Sequence, residues 1–123
     1  MKAKWEFVGG LDISDLNNLC DQFHIDDAEL KATRGVCWSS EPDYSVSMRA
    51  IYRNEDEFFE VEASHCSCYG YGGAWQPSEV SKAYVKQLIE AADEKEVKRK
   101  DSWRYGALDS REFIDALREL VKR

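Results

Sequence analysis

The chain has 123 residues, 43% of them hydrophobic and 12% aromatic, with a formal charge of −7. That is the usual size of one domain, and it holds enough apolar material to offset the entropy of ordering, which excludes wholesale disorder. No apolar run approaches the roughly 18 residues of a membrane-spanning helix, and Met1 to Glu6 lacks the apolar region of a signal peptide, so one domain spanning 1–123 in the cytoplasm is expected, without a membrane partner.

The charge is concentrated. Residues 1–30 carry two Lys against seven acidic residues, and residues 41–63 carry two Arg against seven. Such a surface repels phosphate backbones and attracts basic partners, so direct nucleic-acid binding is not expected. The one basic group, Lys95 to Arg104, is interleaved with Glu96 and Asp101.

In chain order, Asp12 is the expected cap of a first helix in which Ile13, Leu16, Leu19, Cys20 and Phe23 recur at helical spacing. From about Leu30 the period changes to two. Val36 and Trp38 mark a first strand, Val46, Met48, Ala50 and Tyr52 a second, and Phe59, Val61 and Ala63 a third. Turns are expected at Ser39 to Asp43, which holds Pro42, and at Asn54 to Glu57. The simplest topology is a three-stranded antiparallel sheet over about residues 30–63.

A glycine-rich loop follows and ends at Gln76-Pro77-Ser78, where Ser78 is the expected cap of a second helix built on Val80, Tyr84, Leu88 and Ala91, with Val85, Ile89 and Ala92 beside them. The charged segment 93–101 reads as a frayed helix end or a connector. Asp109-Ser110-Arg111-Glu112 resembles a capping box ahead of a last helix carrying Phe113, Ala116, Leu117, Leu120 and Val121. An α+β fold of two layers is the expectation, with the N-terminal helix and the two C-terminal helices covering the sheet.

The segment Ser64 to Trp75, S-H-C-S-C-Y-G-Y-G-G-A-W, concentrates the residues with chemical potential. His65, Cys66 and Cys68 are soft ligands within four positions, which makes a zinc-binding structural domain one alternative; a closed tetrahedral site needs a fourth ligand, and His24, Cys20 or Cys37 would have to supply it through the fold. Otherwise no cofactor is expected. A cysteine-dependent enzyme is a second alternative, with Cys66 or Cys68 as nucleophile and His65 as base. Neighbouring side chains on an extended segment point to opposite sides, however, and nothing in the sequence supplies an oxyanion hole.

Gly70, Gly72 and Gly73 lack the lysine of a phosphate-binding loop, because Ala74, Trp75, Gln76 and Pro77 follow them; their expected task is to let Tyr69, Tyr71 and Trp75 fold back over the sheet. Glu55, Asp56, Glu57, Glu60 and Glu62 are expected on one turn and the outward face of one strand, an acidic stripe suited to a basic groove.

The run Phe59 to Gly70, followed by Trp75-Gln76-Pro77, resembles an uncharacterised family of small bacteriophage and prophage proteins with a Ser-His-Cys-Ser-Cys-Tyr-Gly motif and a Trp-x-Pro helix start. The resemblance covers roughly residues 30–90. Ala63 stands where a glycine is expected, and Tyr71-Gly72-Gly73 is additional. What it implies is a non-enzymatic protein that binds a host protein, as an inhibitor of a nucleic-acid-handling or defence enzyme, through the acidic stripe or through Tyr69, Tyr71 and Trp75.

Overall fold

Strand β1 (Lys4–Gly9) forms one edge of a five-stranded sheet whose spatial order follows the chain: β1, β2 (Arg34–Ser39), β3 (Ser45–Asn54), β4 (Glu57–Cys66) and β5 (Ser78–Val80). The computed structural model describes residues 4–9, 13–26, 32–39, 45–66, 75–98 and 111–122. β1 runs parallel to β2, and the remaining neighbours are antiparallel. A parallel pair needs a crossover, which helix α1 (Leu16–Phe23) supplies; α2 (Lys82–Lys98) and α3 (Arg111–Val121) follow the last strand.

The class is α+β, and the meander β2-β3-β4 matches the sequence reading. The sheet is wider than the three antiparallel strands expected, because β1 and β5 extend it on either side. β5 corrects a second expectation. Ser78 pairs with Glu60 as a strand residue instead of capping a helix, and the cap is Ser81, whose Oγ accepts the Tyr84 backbone N–H at 3.0 Å. For α1 the cap is Asp15, not Asp12: the Asp15 carboxylate accepts the Asn18 N–H at 2.8 Å. Ile13 precedes the helix yet is fully buried, its N–H donated to Ser39 Oγ at 2.9 Å. α2 runs on to Lys98 and absorbs most of the charged 93–101 segment. Asp12, residues 40–43 of the first expected turn, and Asp109 with Ser110 lie outside the described residues.

Cross-strand register sorts the side chains onto two faces. Val36, Ile51 and Glu60 lie side by side, as do Trp38, Arg49 and Glu62, and Arg34, Arg53 and Phe58. Helices α2 and α3 cover this face, where Val36, Trp38, Ile51 and Phe58 share a core with Val85, Ile89, Phe113, Leu117 and Leu120. The other face carries Cys37, Met48, Ala50, Tyr52 and Val61 and is covered by Ile13, Leu19 and Phe23 of the α1 region. The architecture therefore has three layers where two were expected, and the face that holds Arg49, Arg53, Glu60 and Glu62 is an inner one.

Arg34 and Arg53 face each other directly across β2 and β3, an arrangement of like charges that a bare sheet disfavours. The C-terminal end of α3 resolves the conflict. Arg53 Nη1 donates to the Leu120 carbonyl at 2.8 Å, and Arg34 Nη1 and Nη2 donate to the Lys122 and Glu119 carbonyls at 2.9 Å each. These carbonyls have no partner within the helix and lie at the negative end of its dipole, so two cations both satisfy and neutralise them. Arg53 is only 8% exposed; its Nε donates to the Glu55 carbonyl at 2.8 Å, and its guanidinium sits 4.7 Å from the Phe58 ring centre. Arg53→Met keeps the aliphatic stem but strands the Leu120 carbonyl, so urea denaturation is expected to show a loss of about 2–3 kcal/mol, and a smaller loss for the more exposed Arg34→Met.

Candidate functional site

The acidic residues singled out from the sequence sit on the longest hairpin, formed by two strands of ten residues each. Asn54 pairs with Glu57, so Glu55 and Asp56 make a two-residue turn, and Glu55 adopts the left-handed conformation, with φ 60°. A non-glycine residue there carries strain, which is held in place by the Arg53 Nε bond to the Glu55 carbonyl. Glu55, Asp56 and Glu57 are exposed at this tip.

The other two members of the expected stripe part company. The Glu62 side chain is 65% exposed, with an oxygen 3.8 Å from Arg49. Glu60 is 12% exposed and belongs to an internal network. Its Oε2 accepts Arg49 Nε at 2.8 Å, and its Oε1 accepts the Tyr84 hydroxyl of α2 at 2.8 Å; Arg49 Nη2 also donates to the Tyr84 oxygen at 3.2 Å. Alternation places Glu60 and Glu62 on one face of β4 but does not reveal that a helix lies over half of it. Burial opposes the Arg49 charge, yet its hydrogen bonds to Glu60 and the charges of Glu60 and Glu62 outweigh that and hold its pKa above the ordinary value.

Of the aromatic residues expected to bind, Trp75 is half-buried in a stack and Tyr69 and Tyr71 lie outside the described residues. The Trp75 ring lies 5.7 Å from Tyr52, nearly parallel, and meets the edge of Phe23 at 5.1 Å. Tyr52 also stacks on Phe59 at 5.2 Å and contacts Trp5 at 5.8 Å. This row crosses β2 because Gly35 leaves room: a Cβ there would come within 2.6 Å of the Trp5 indole. Trp75 folded back over the sheet was expected, but sequence reasoning missed the Trp5 end of the row, although Trp5 and Phe7 in alternation and a glycine inside a strand were its signals. Trp75 thus fastens the end of the glycine-rich segment to the sheet.

His65 and Cys66 are the last residues of β4, opposite Val46 and Ser45, and Cys68 lies outside the described residues. Cys37 is fully buried in β2, and His24 ends α1 in the left-handed conformation. Among the described residues no group of three or more His, Cys, Asp or Glu is placed to hold a metal ion, and no helix is long and apolar enough to cross a membrane. A cleft of about 450 Å³ lies between the β1–β2 edge and α3, lined by Lys4, Glu6, Arg34 and Glu119 among others. No family model, no curated protein and no solved structure matches the chain.

Two outcomes follow from this geometry. Glu60→Lys sets two cations together beneath α2 and is expected to cost about 2–4 kcal/mol in chemical denaturation, whereas Glu57→Lys at the open tip leaves the midpoint unchanged. At high pH, Tyr52 and Tyr84 contribute. Both phenols are pushed above their ordinary value: Tyr52 by burial, partly offset by a hydrogen bond from Trp75, and Tyr84 by burial and then by its bond to the Glu60 carboxylate. A raised folded-state value stabilises the protein fully below the unfolded phenol value of about 10, and that contribution is lost as pH rises through the folded values. Alkaline unfolding followed by phenolate absorbance should therefore begin above about pH 10, and Tyr52→Phe should reduce the steepness of the stability loss there.

Proposed function

We propose that the chain is a small acidic protein of phage type that binds a host protein and does not turn over a substrate, its carboxylates occupying the basic groove of a nucleic-acid-handling or defence enzyme. The observation that carries this reading is the hairpin tip, where Glu55, Asp56 and Glu57 are exposed on a turn that Arg53 holds rigid from within. Glu62 continues the charge along β4. A preorganised cluster loses little conformational entropy on binding, and a net charge of −7 steers the encounter with a cationic surface. The Ser64 to Gly70 motif, with its resemblance to small phage and prophage proteins, supports the choice of a host partner.

The test is direct binding to a partner captured from bacterial lysate, identified by mass spectrometry and then purified. Affinity is measured for the natural chain and for Glu55→Lys/Asp56→Lys/Glu57→Lys, with Glu60 left in place because its loss would disturb the fold. The triple reversal is expected to weaken binding by at least roughly tenfold, and added salt to weaken the natural complex. Equal affinity for both chains would reject the acidic tip as the binding surface.

A further inference from the structure

We infer that the outer edge of β1 is a self-association surface, where a second copy of this chain adds its own β1 in antiparallel fashion and the two sheets become one. Among the described residues β1 has a strand neighbour on one side only, β2. The Lys4 N–H is donated inward, to the Thr33 carbonyl at 3.0 Å. Backbone groups alternate along a strand, so those of Lys4 and Glu6 turn towards β2 while those of Trp5 and Phe7 are presented outward. The edge of a sheet templates another strand unless charge deters it.

The direction of the outward groups restricts how two copies can pair. By the same alternation Gly9 also turns outward, but its φ of 93° departs from the extended backbone a ladder needs, so the hydrogen-bonded partners across the seam are drawn from Trp5 and Phe7 and three registers remain. Pairing Trp5 with Phe7 sets Glu6 against Glu6 of the second copy, a repulsive contact. Pairing Phe7 with Phe7 sets Glu6 against Val8. Pairing Trp5 with Trp5 sets each Lys4 against Glu6 of the other copy, so that two ion pairs form on one face.

Lys4 and Glu6 are both exposed and available for this. Opposite charges two residues apart around a central residue are self-complementary across a two-fold axis, as an isologous contact requires. The same charges would oppose most unrelated strands. Lys4 and Glu6 also line the cleft beneath α3.

Sedimentation equilibrium of the full chain at low salt over a concentration series provides the test, with circular dichroism confirming that each variant is folded. The natural chain is expected to approach twice its 14.2 kDa mass. Lys4→Glu and Glu6→Lys, each of which turns both ion pairs into repulsions, should weaken the dimer by roughly tenfold or more, and the combined Lys4→Glu/Glu6→Lys chain should regain it. The Trp5 amide should exchange with deuterium more slowly as concentration rises. A chain that stays monomeric throughout, a dimer indifferent to the single reversals, or a combined variant that does not recover would each overturn the proposal.

Discussion

Two guanidinium groups beneath the end of one helix organise this molecule. Arg34 and Arg53 stand opposite each other on adjacent strands, and the last carbonyls of α3 lie over them and offset their mutual repulsion. Those carbonyls need donors just as the arginines need acceptors, so docking the helix satisfies both at once. The geometry also fixes where α3 ends and which way it runs across β1, β2 and β3. Its apolar side, Phe113, Ala116, Leu117 and Leu120, is thereby delivered to Val36, Ile51 and Phe58.

Arg53 extends this constraint to the hairpin turn beside it. One side chain holds the Glu55 carbonyl of the hairpin turn and the Leu120 carbonyl of α3, with the Phe58 ring beneath it. The turn that displays the acidic cluster is consequently tied to the core, not left as a free loop. A similar economy governs Arg49, Glu60 and Tyr84, whose mutual hydrogen bonds let a charge pair sit under α2. The basic residues of the meander are thus consumed internally on this face, while the carboxylates of Glu55, Asp56 and Glu57 stay exposed at the tip.

Sequence periodicity located the meander well, because Val36 with Trp38, Met48 with Ala50 and Tyr52, and Phe59 with Val61 alternate cleanly. The helical stripes of α1, α2 and α3 were equally legible from Leu19 and Phe23, Val85 and Ile89, and Phe113, Leu117 and Leu120. β1 and β5 were not. A six-residue strand and a three-residue strand carry too little pattern, and Ser78 offers the same hydroxyl to a sheet edge as to a helix cap. In the candidate site, Glu55, Asp56 and Glu57 could be placed at a turn from Asn54 onward, and the glycines allowed Trp75 to fold back over the sheet, but Glu60 could not be placed inward, since alternation names a residue's face without saying what covers it.

By itself, then, the sequence determined the α+β class, the central meander, the helical faces and the acid-rich turn, all consequences of local periodicity and local chemistry. Only the tertiary structure decided that helices lie on both sides of the sheet, that Arg49 and Glu60 form an internal pair, that Trp75 stacks on Tyr52, and that Arg34 and Arg53 receive the end of α3. Those outcomes depend on which segments distant in the chain meet, and each is settled by the free energy of leaving a buried charge or carbonyl without its partner.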